Sequence, residues 1–146
     1  MSNSVIDSLT CFLANTFVLY VKTLNFHWNM VGPEFFMYHK LLQEHYEYMS
    51  EVSDEIAERV RQLGGKAPGS MQKMLDIATL QEAKEDLDQM SMVQMLVEDH
   101  DILKNEGLSL VKKALDHGDE GSADMIVDQV KFHDKAKWLL ESHLRS

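Results

Sequence analysis

Apolar and polar positions alternate with a three-to-four spacing along nearly the whole chain, the period of an α-helix. In the first stretch, about residues 4–30, Val5, Leu9, Phe12, Leu13, Phe17, Tyr20 and Leu24 recur on one face. A second, about 33–63, opens with Pro33, favoured in a first helical turn, and Glu34 beside the positive helix end; it stops at Gly64-Gly65. Two more, about 88–117 and 121–144, carry Met92, Leu96, Leu103, Leu110 and Ala114, then Met125, Val130, Trp138 and Leu139. Few prolines or glycines interrupt these runs, because most glycines gather at Gly64-Gly65, Gly69 and Gly118 to Gly121. The connection from Gly64 to Leu87 is too long for a hairpin turn, and its apolar-periodic piece at about 71–80 predicts a short helix. The pattern therefore predicts an all-α, four-helix bundle with one long crossover, as a single domain over residues 1–146.

Charge narrows the partners. With 24 acidic and 14 basic side chains the formal charge is −10, which repels phosphate backbones and attracts cations. The lone cysteine, Cys11, excludes an internal disulfide, suits a reducing compartment and reads as a small buried apolar residue. The N-terminus lacks the basic region of a secretory signal, and no uninterrupted apolar run approaches the ~20 residues that span a bilayer. A soluble cytoplasmic protein with no membrane association is expected.

The candidate chemistry is a set of four metal ligands. His27 and His39 flank the turn Met30-Val31-Gly32-Pro33, so an antiparallel helix pair holds both imidazoles at similar heights. Asp54 and Glu58 are one helical turn apart, but Asp54 lies roughly 22 Å beyond His39 on the same helix at about 1.5 Å per residue. No single metal reaches both pairs within one chain. If a second copy packs its helix antiparallel across a two-fold axis near Glu47, each histidine pair meets the other copy's carboxylate pair, giving two identical sites. Two imidazoles and two carboxylates suit iron, manganese or zinc, and iron is the redox-competent choice. The Glu-x-x-His pairs of intrachain di-iron bundles do not occur in this sequence. Taken singly, each of these side chains also reads as an ordinary helix-surface residue.

Other polar groups read more plainly. His45, His100, His117, His133 and His143 are expected to be surface or structural residues. Glu44, Glu47, Glu51 and Glu55 form a solvated charge run that would concentrate ferric ions if it lined a closed cavity. Asp119, Asp124 and Asp128 offer a second acidic set, with Asp119 just ahead of the last helix and the other two on one face; helix-capping acids plus an exposed carboxylate are the simpler account. Trp28, beside His27, either packs or accepts an oxidising equivalent from a nearby iron pair.

Several stretches resemble the Dps family, the miniferritins named for DNA-binding proteins of starved cells. They are Asn25-Phe26-His27-Trp28-Asn29-Met30-Val31-Gly32, then His39, then Asp54-Glu55-Ile56-Ala57-Glu58-Arg59 with Gln62-Leu63-Gly64-Gly65, then Gly118 to Asp124, and Asp134-Lys135 followed by Trp138. The resemblance covers nearly the whole chain, and one long crossover between helix pairs is also the connectivity of ferritin-like bundles. It implies a hollow homododecamer whose ferroxidase sites lie at two-fold interfaces, each taking His27 and His39 from one subunit and Asp54 and Glu58 from its neighbour. There two ferrous ions per site are oxidised, with hydrogen peroxide in preference to oxygen, and stored as ferric mineral, which protects against oxidative damage. The resemblance also places Asp119, Asp124 and Asp128 in the three-fold pores through which iron enters.

Two departures qualify that picture. Many family members carry an acidic ligand one turn after the second histidine, where this chain has Gln43, so the second iron is expected to bind weakly, and zinc or manganese could occupy the site. Members that bind DNA directly commonly use a basic terminal tail, whereas the first 21 residues here contain no basic side chain and the extreme C-terminus offers only Arg145. Little direct DNA affinity is expected; the alternative is a nucleoid-associated shell that protects DNA physically, with iron oxidation secondary.

Overall fold

The computed structural model describes residues 3–144, all helix and connecting turns with no strand among the described residues. Helix α1 is Asn3–Asn29, α2 Phe35–Gln62, α3 Met71–Ile77, α4 Gln89–Asp116 and α5 Glu120–Ser142. α1 packs along α2 and α4 along α5; the two hairpins join chiefly through α1 against α4, with a smaller α2–α5 contact, and α3 lies on α1. The all-α bundle, its long crossover and its short extra helix follow the pattern of apolar positions.

Element ends differ from the sequence reading where turn geometry or a tertiary contact intervenes. α2 begins at Phe35 and not at Pro33, because Gly32 takes φ +145° and its carbonyl accepts from Phe35 N at 3.2 Å, drawing Pro33 and Glu34 into a turn. α3 stops at Ile77 and not at Leu80. There Ala78 turns extended, and the Asn15 side-chain oxygen accepts from the backbone N–H groups of Thr79 (2.8 Å) and Leu80 (3.0 Å). The same amide donates to Glu106 Oε1 at 2.8 Å, so one buried asparagine ties α1 to the crossover and to α4. Asp88 caps α4, its carboxylate accepting from Ser91 N at 2.8 Å.

The core is filled by Leu9, Phe12, Leu13, Leu19 and Phe26 of α1 with Leu42, Met49, Ile56, Leu96, Leu103, Ile126 and Leu140 of its neighbours, all essentially excluded from solvent. Each such side chain stabilises the fold by roughly 1.5–3 kcal/mol through burial. α1 is apolar on most sides because α2, α3 and α4 all cover it. Its threonine hydroxyls are satisfied locally: Thr10, Thr16 and Thr23 donate to the carbonyls of Ile6, Phe12 and Leu19 at 2.8, 2.8 and 2.7 Å. Ser4–Asn29, interrupted by Asp7 and Lys22, is nonetheless long and apolar enough to cross a bilayer by length and composition alone; half of its most apolar window is buried inside the bundle, as in a core helix. One ion pair, Lys22 Nζ to Asp99 Oδ2 at 2.8 Å, lies within the α1–α4 contact with side chains only 6% and 9% exposed. Gly107 leaves room for Val130 of α5 to pack against α4: an added Cβ would stand 2.6 Å from Val130 Cγ2.

Candidate metal centre

The Gly32 turn brings the last turn of α1 beside the first turns of α2, and with them His27 and His39. Their rings stack with centroids 3.7 Å apart and planes 9° from parallel. His27 Nδ1 is 2.7 Å from the His39 carbonyl, and His39 Nδ1 is 2.7 Å from the His27 carbonyl. A carbonyl only accepts, so both Nδ1 atoms carry the proton and donate; both Nε2 atoms are left with free lone pairs. Tyr46 sets its ring edge-on to His27 at 5.1 Å and Phe35 stacks on His39 at 5.0 Å, which fixes the ring planes. Two oriented nitrogen donors at one end of a hairpin are what a divalent cation needs from this half of a site.

The carboxylates are elsewhere. Asp54 and Glu58 lie exposed on α2, roughly 22 Å along the helix from His39. Among the described residues, no three His, Cys, Asp or Glu side chains gather where a metal ion could be held. One copy of the chain thus brings together the two histidines but not the four-residue set. Between the halves, Gln43, Glu47 and Glu51 are exposed along α2, and the Gln43 amide donates to Glu47 at 2.9 Å. Trp28 is 66% exposed, projecting from the chain next to the histidine pair.

The acidic set at the start of α5 divides. Asp119 is buried; its Oδ1 accepts from Arg59 Nη2 at 2.8 Å and Ser122 N at 3.0 Å, and its Oδ2 from the Ser122 hydroxyl at 2.6 Å. Burial pushes its carboxyl upward, but the Ser122 and Arg59 hydrogen bonds outweigh that and leave it below its ordinary value. It is a helix cap locked to α2. Asp124 and Asp128 are exposed.

Sequence reading left His45, His100 and His133 undistinguished, and they prove to be buried together, whereas His117 and His143 are exposed. A signal was available. His45 continues the buried register Tyr38, Leu42, Met49 and Val52, His100 that of Leu96, Leu103 and Leu110, and His133 that of Ile126, Gln129 and Ala136.

A family profile described as a ferritin-like domain matches residues 6–146. DNA protection during starvation protein 2 of Bacillus anthracis is 32% identical over 144 residues, 99% of each chain. The chain belongs to the Dps family of ferritin-like proteins. Among solved structures, Dps from Staphylococcus aureus matches with a TM-score of 0.96 at 31% identity, covering 99% of this chain and 97% of that one. The Dps protein from Vibrio cholerae O1, described as a member of a broad superfamily of ferritin-like diiron-carboxylate proteins, matches with a TM-score of 0.93 at 31% identity over 98% of this chain and 90% of that one. The Dps relationship accounts for the crossover connectivity.

Proposed function

We propose that the chain is a cytoplasmic ferroxidase and iron store: it oxidises ferrous iron, with hydrogen peroxide in preference to dioxygen, at two-fold interfaces of a homododecamer and keeps the ferric product as mineral. The observation that carries this reading is the reciprocal His27–His39 pair, stacked ring on ring, which leaves both Nε2 lone pairs free with no third ligand beside them among the described residues. In this reading Asp54 and Glu58 of a second copy supply the oxygen donors. Their negative charge offsets that of the cation and favours its ferric form. Two ferrous ions give one electron each to one peroxide, which is reduced to two waters with two protons, so no hydroxyl radical is released. Gln43 brings an amide where a carboxylate would add charge, so the second iron is the weaker bound, and zinc or manganese competes for the site. Asp124 and Asp128, exposed at the start of α5, draw iron inward.

The name of the Bacillus anthracis relative supports a second reading, a shell that protects DNA by binding it. A chain charge of −10 opposes direct contact with phosphates. The test is anaerobic addition of two ferrous ions per subunit, then one equivalent of peroxide, followed by near-ultraviolet ferric absorbance beside the same reaction in air. Fast oxidation with peroxide and slow oxidation in air is expected. No acceleration over protein-free buffer, together with a gel shift that persists at moderate salt without divalent metal, would favour the DNA-binding shell.

A further inference from the structure

His45 on α2, His100 on α4 and His133 on α5 meet in the middle of the bundle, 4%, 0% and 1% exposed. Their rings surround Phe132 in edge-to-face contact at 5.5, 5.9 and 5.1 Å. His100 Nδ1 and His133 Nδ1 are 2.8 Å apart, so one imidazole donates its N–H into the other's lone pair. Two nitrogens bound tetrahedrally to one zinc-like ion would stand about 3.3 Å apart, so this contact is a hydrogen bond and not half of a metal site. His45 Nδ1, His100 Nε2, His133 Nε2 and both polar atoms of the Gln129 amide are buried without a hydrogen-bond partner among the described residues. The pair can take one proton on the donor ring's Nε2 and keep that bond, but the new N–H and its charge then find no partner among the described residues; a second proton must break the bond.

The surroundings offer no compensation for such a proton. α1 presents Phe12, edge-on to His133 at 6.3 Å, and its buried Lys22 is closed on Asp99 of α4. α4 also carries Glu106, which accepts from Asn15. α2 adds Tyr48, stacked on Phe132 at 4.0 Å, whose phenol is pushed up to about 12 by burial and by Asp128, Glu55 and Glu51, so it stays neutral. α5 adds the neutral Gln129. Burial alone holds His45 down to about 4; burial, with the neighbouring histidines adding to it, holds His100 and His133 below the usual imidazole value, and no carboxylate opposes it.

We propose that His45, His100 and His133 form a proton-operated latch: neutral, they close α2 onto the α4–α5 hairpin, and proton uptake in mild acid opens that seam. A base that binds its proton less well folded than open leaves stability intact above about pH 6.5 and removes it as pH falls below. Each group raises the opening equilibrium up to about tenfold per pH unit, and the three together on the order of a thousandfold. The latch works inside one subunit and does not rest on the iron-oxidising reading.

The test is native-state hydrogen exchange of the assembled, full-length protein between pH 7.5 and 4.5, corrected for intrinsic exchange rates and read on α2 and α5. The wild type should show an opening equilibrium in α5 that rises at least a hundredfold between about pH 6 and 5. His45→Gln should lose about one proton of that dependence, and His100→Leu with His133→Leu about two. If the double variant fails to fold, the single variant still counts a proton. Equal pH dependence in wild type and variants would overturn the latch. So would tight, stoichiometric zinc binding at pH 7.5 that the His45→Gln variant lacks, which would make the cluster a metal site.

Discussion

His27 and His39 hold each other by two equivalent hydrogen bonds, each ring Nδ1 donating to the other residue's backbone carbonyl at 2.7 Å. The same contact that closes the α1–α2 corner also sets the tautomer of both rings. Structure and chemistry are therefore joined at this pair, and His39→Ala should damage both. Iron oxidation should fall to the rate of protein-free buffer, and stability should drop by about 1–2 kcal/mol as the His27 carbonyl loses its donor. Stopped-flow ferric absorbance and urea denaturation of the same sample measure the two losses; retention of full oxidation would remove His39 from the site.

Asp54 should behave differently. Its side chain is exposed and holds nothing together in its own chain, so Asp54→Ala should change subunit stability by less than about 0.5 kcal/mol. Assembly should survive, by sedimentation, while iron oxidation slows at least tenfold. Unchanged kinetics would mean that no second copy delivers this carboxylate to the histidines.

Asp119 and Asp124 separate a structural acid from an exposed one. Asp119→Asn weakens a helix cap and the Arg59 ion pair, at a cost of about 2 kcal/mol. Because the Asp119 carboxyl lies below its ordinary value, the wild type holds that stability above about pH 4 and loses it as pH falls through the lowered value. The penalty, read from urea midpoints, should therefore stay constant from about pH 7 to 5 and shrink below about 4. Asp124→Asn should leave stability alone and slow loading at limiting iron.

The Lys22–Asp99 pair is enclosed, so breaking it is costly and replacing it is not. Asp99→Asn should destabilise by about 3 kcal/mol, since Lys22 is left charged and buried, whereas Lys22→Met with Asp99→Leu should recover most of that loss. Thermal unfolding of the three proteins gives the comparison; equal losses in single and double variants would show that the lysine escapes to water.

Gly107→Ala inserts a Cβ at 2.6 Å from Val130 Cγ2, so the Val130 side chain or the helix packing must shift to admit it. A loss of about 1–3 kcal/mol is expected, with partial rescue by adding Val130→Ala. Calorimetry on both variants checks it.

How much of this was legible follows from the range of each signal. Spacing along one helix pair carries His27 and His39 to the same level and separates Asp54 and Glu58 from them, because helical rise is fixed. The core register was readable too, but His45, His100 and His133 in that register were set aside as ordinary polar residues. Contacts that cross the fold left no local trace: nothing near Leu80 says that Asn15, far back in the chain, will end α3, and nothing near Asp119 says that Arg59 will hold it. Asp119 was legible as a helix-capping acid ahead of α5, because capping is local; its burial against Arg59 was not.

The apolar character of α1 bears on how the protein is made. Synthesis runs from the N-terminus, so α1 leaves the ribosome as a helix whose three threonine hydroxyls are satisfied internally and whose apolar surface has no cover yet. α2 shields one side as it follows, but the α4 side stays open until the chain past Gln89 has been translated. During that interval the nascent chain offers chaperones and membranes a segment that the finished subunit hides.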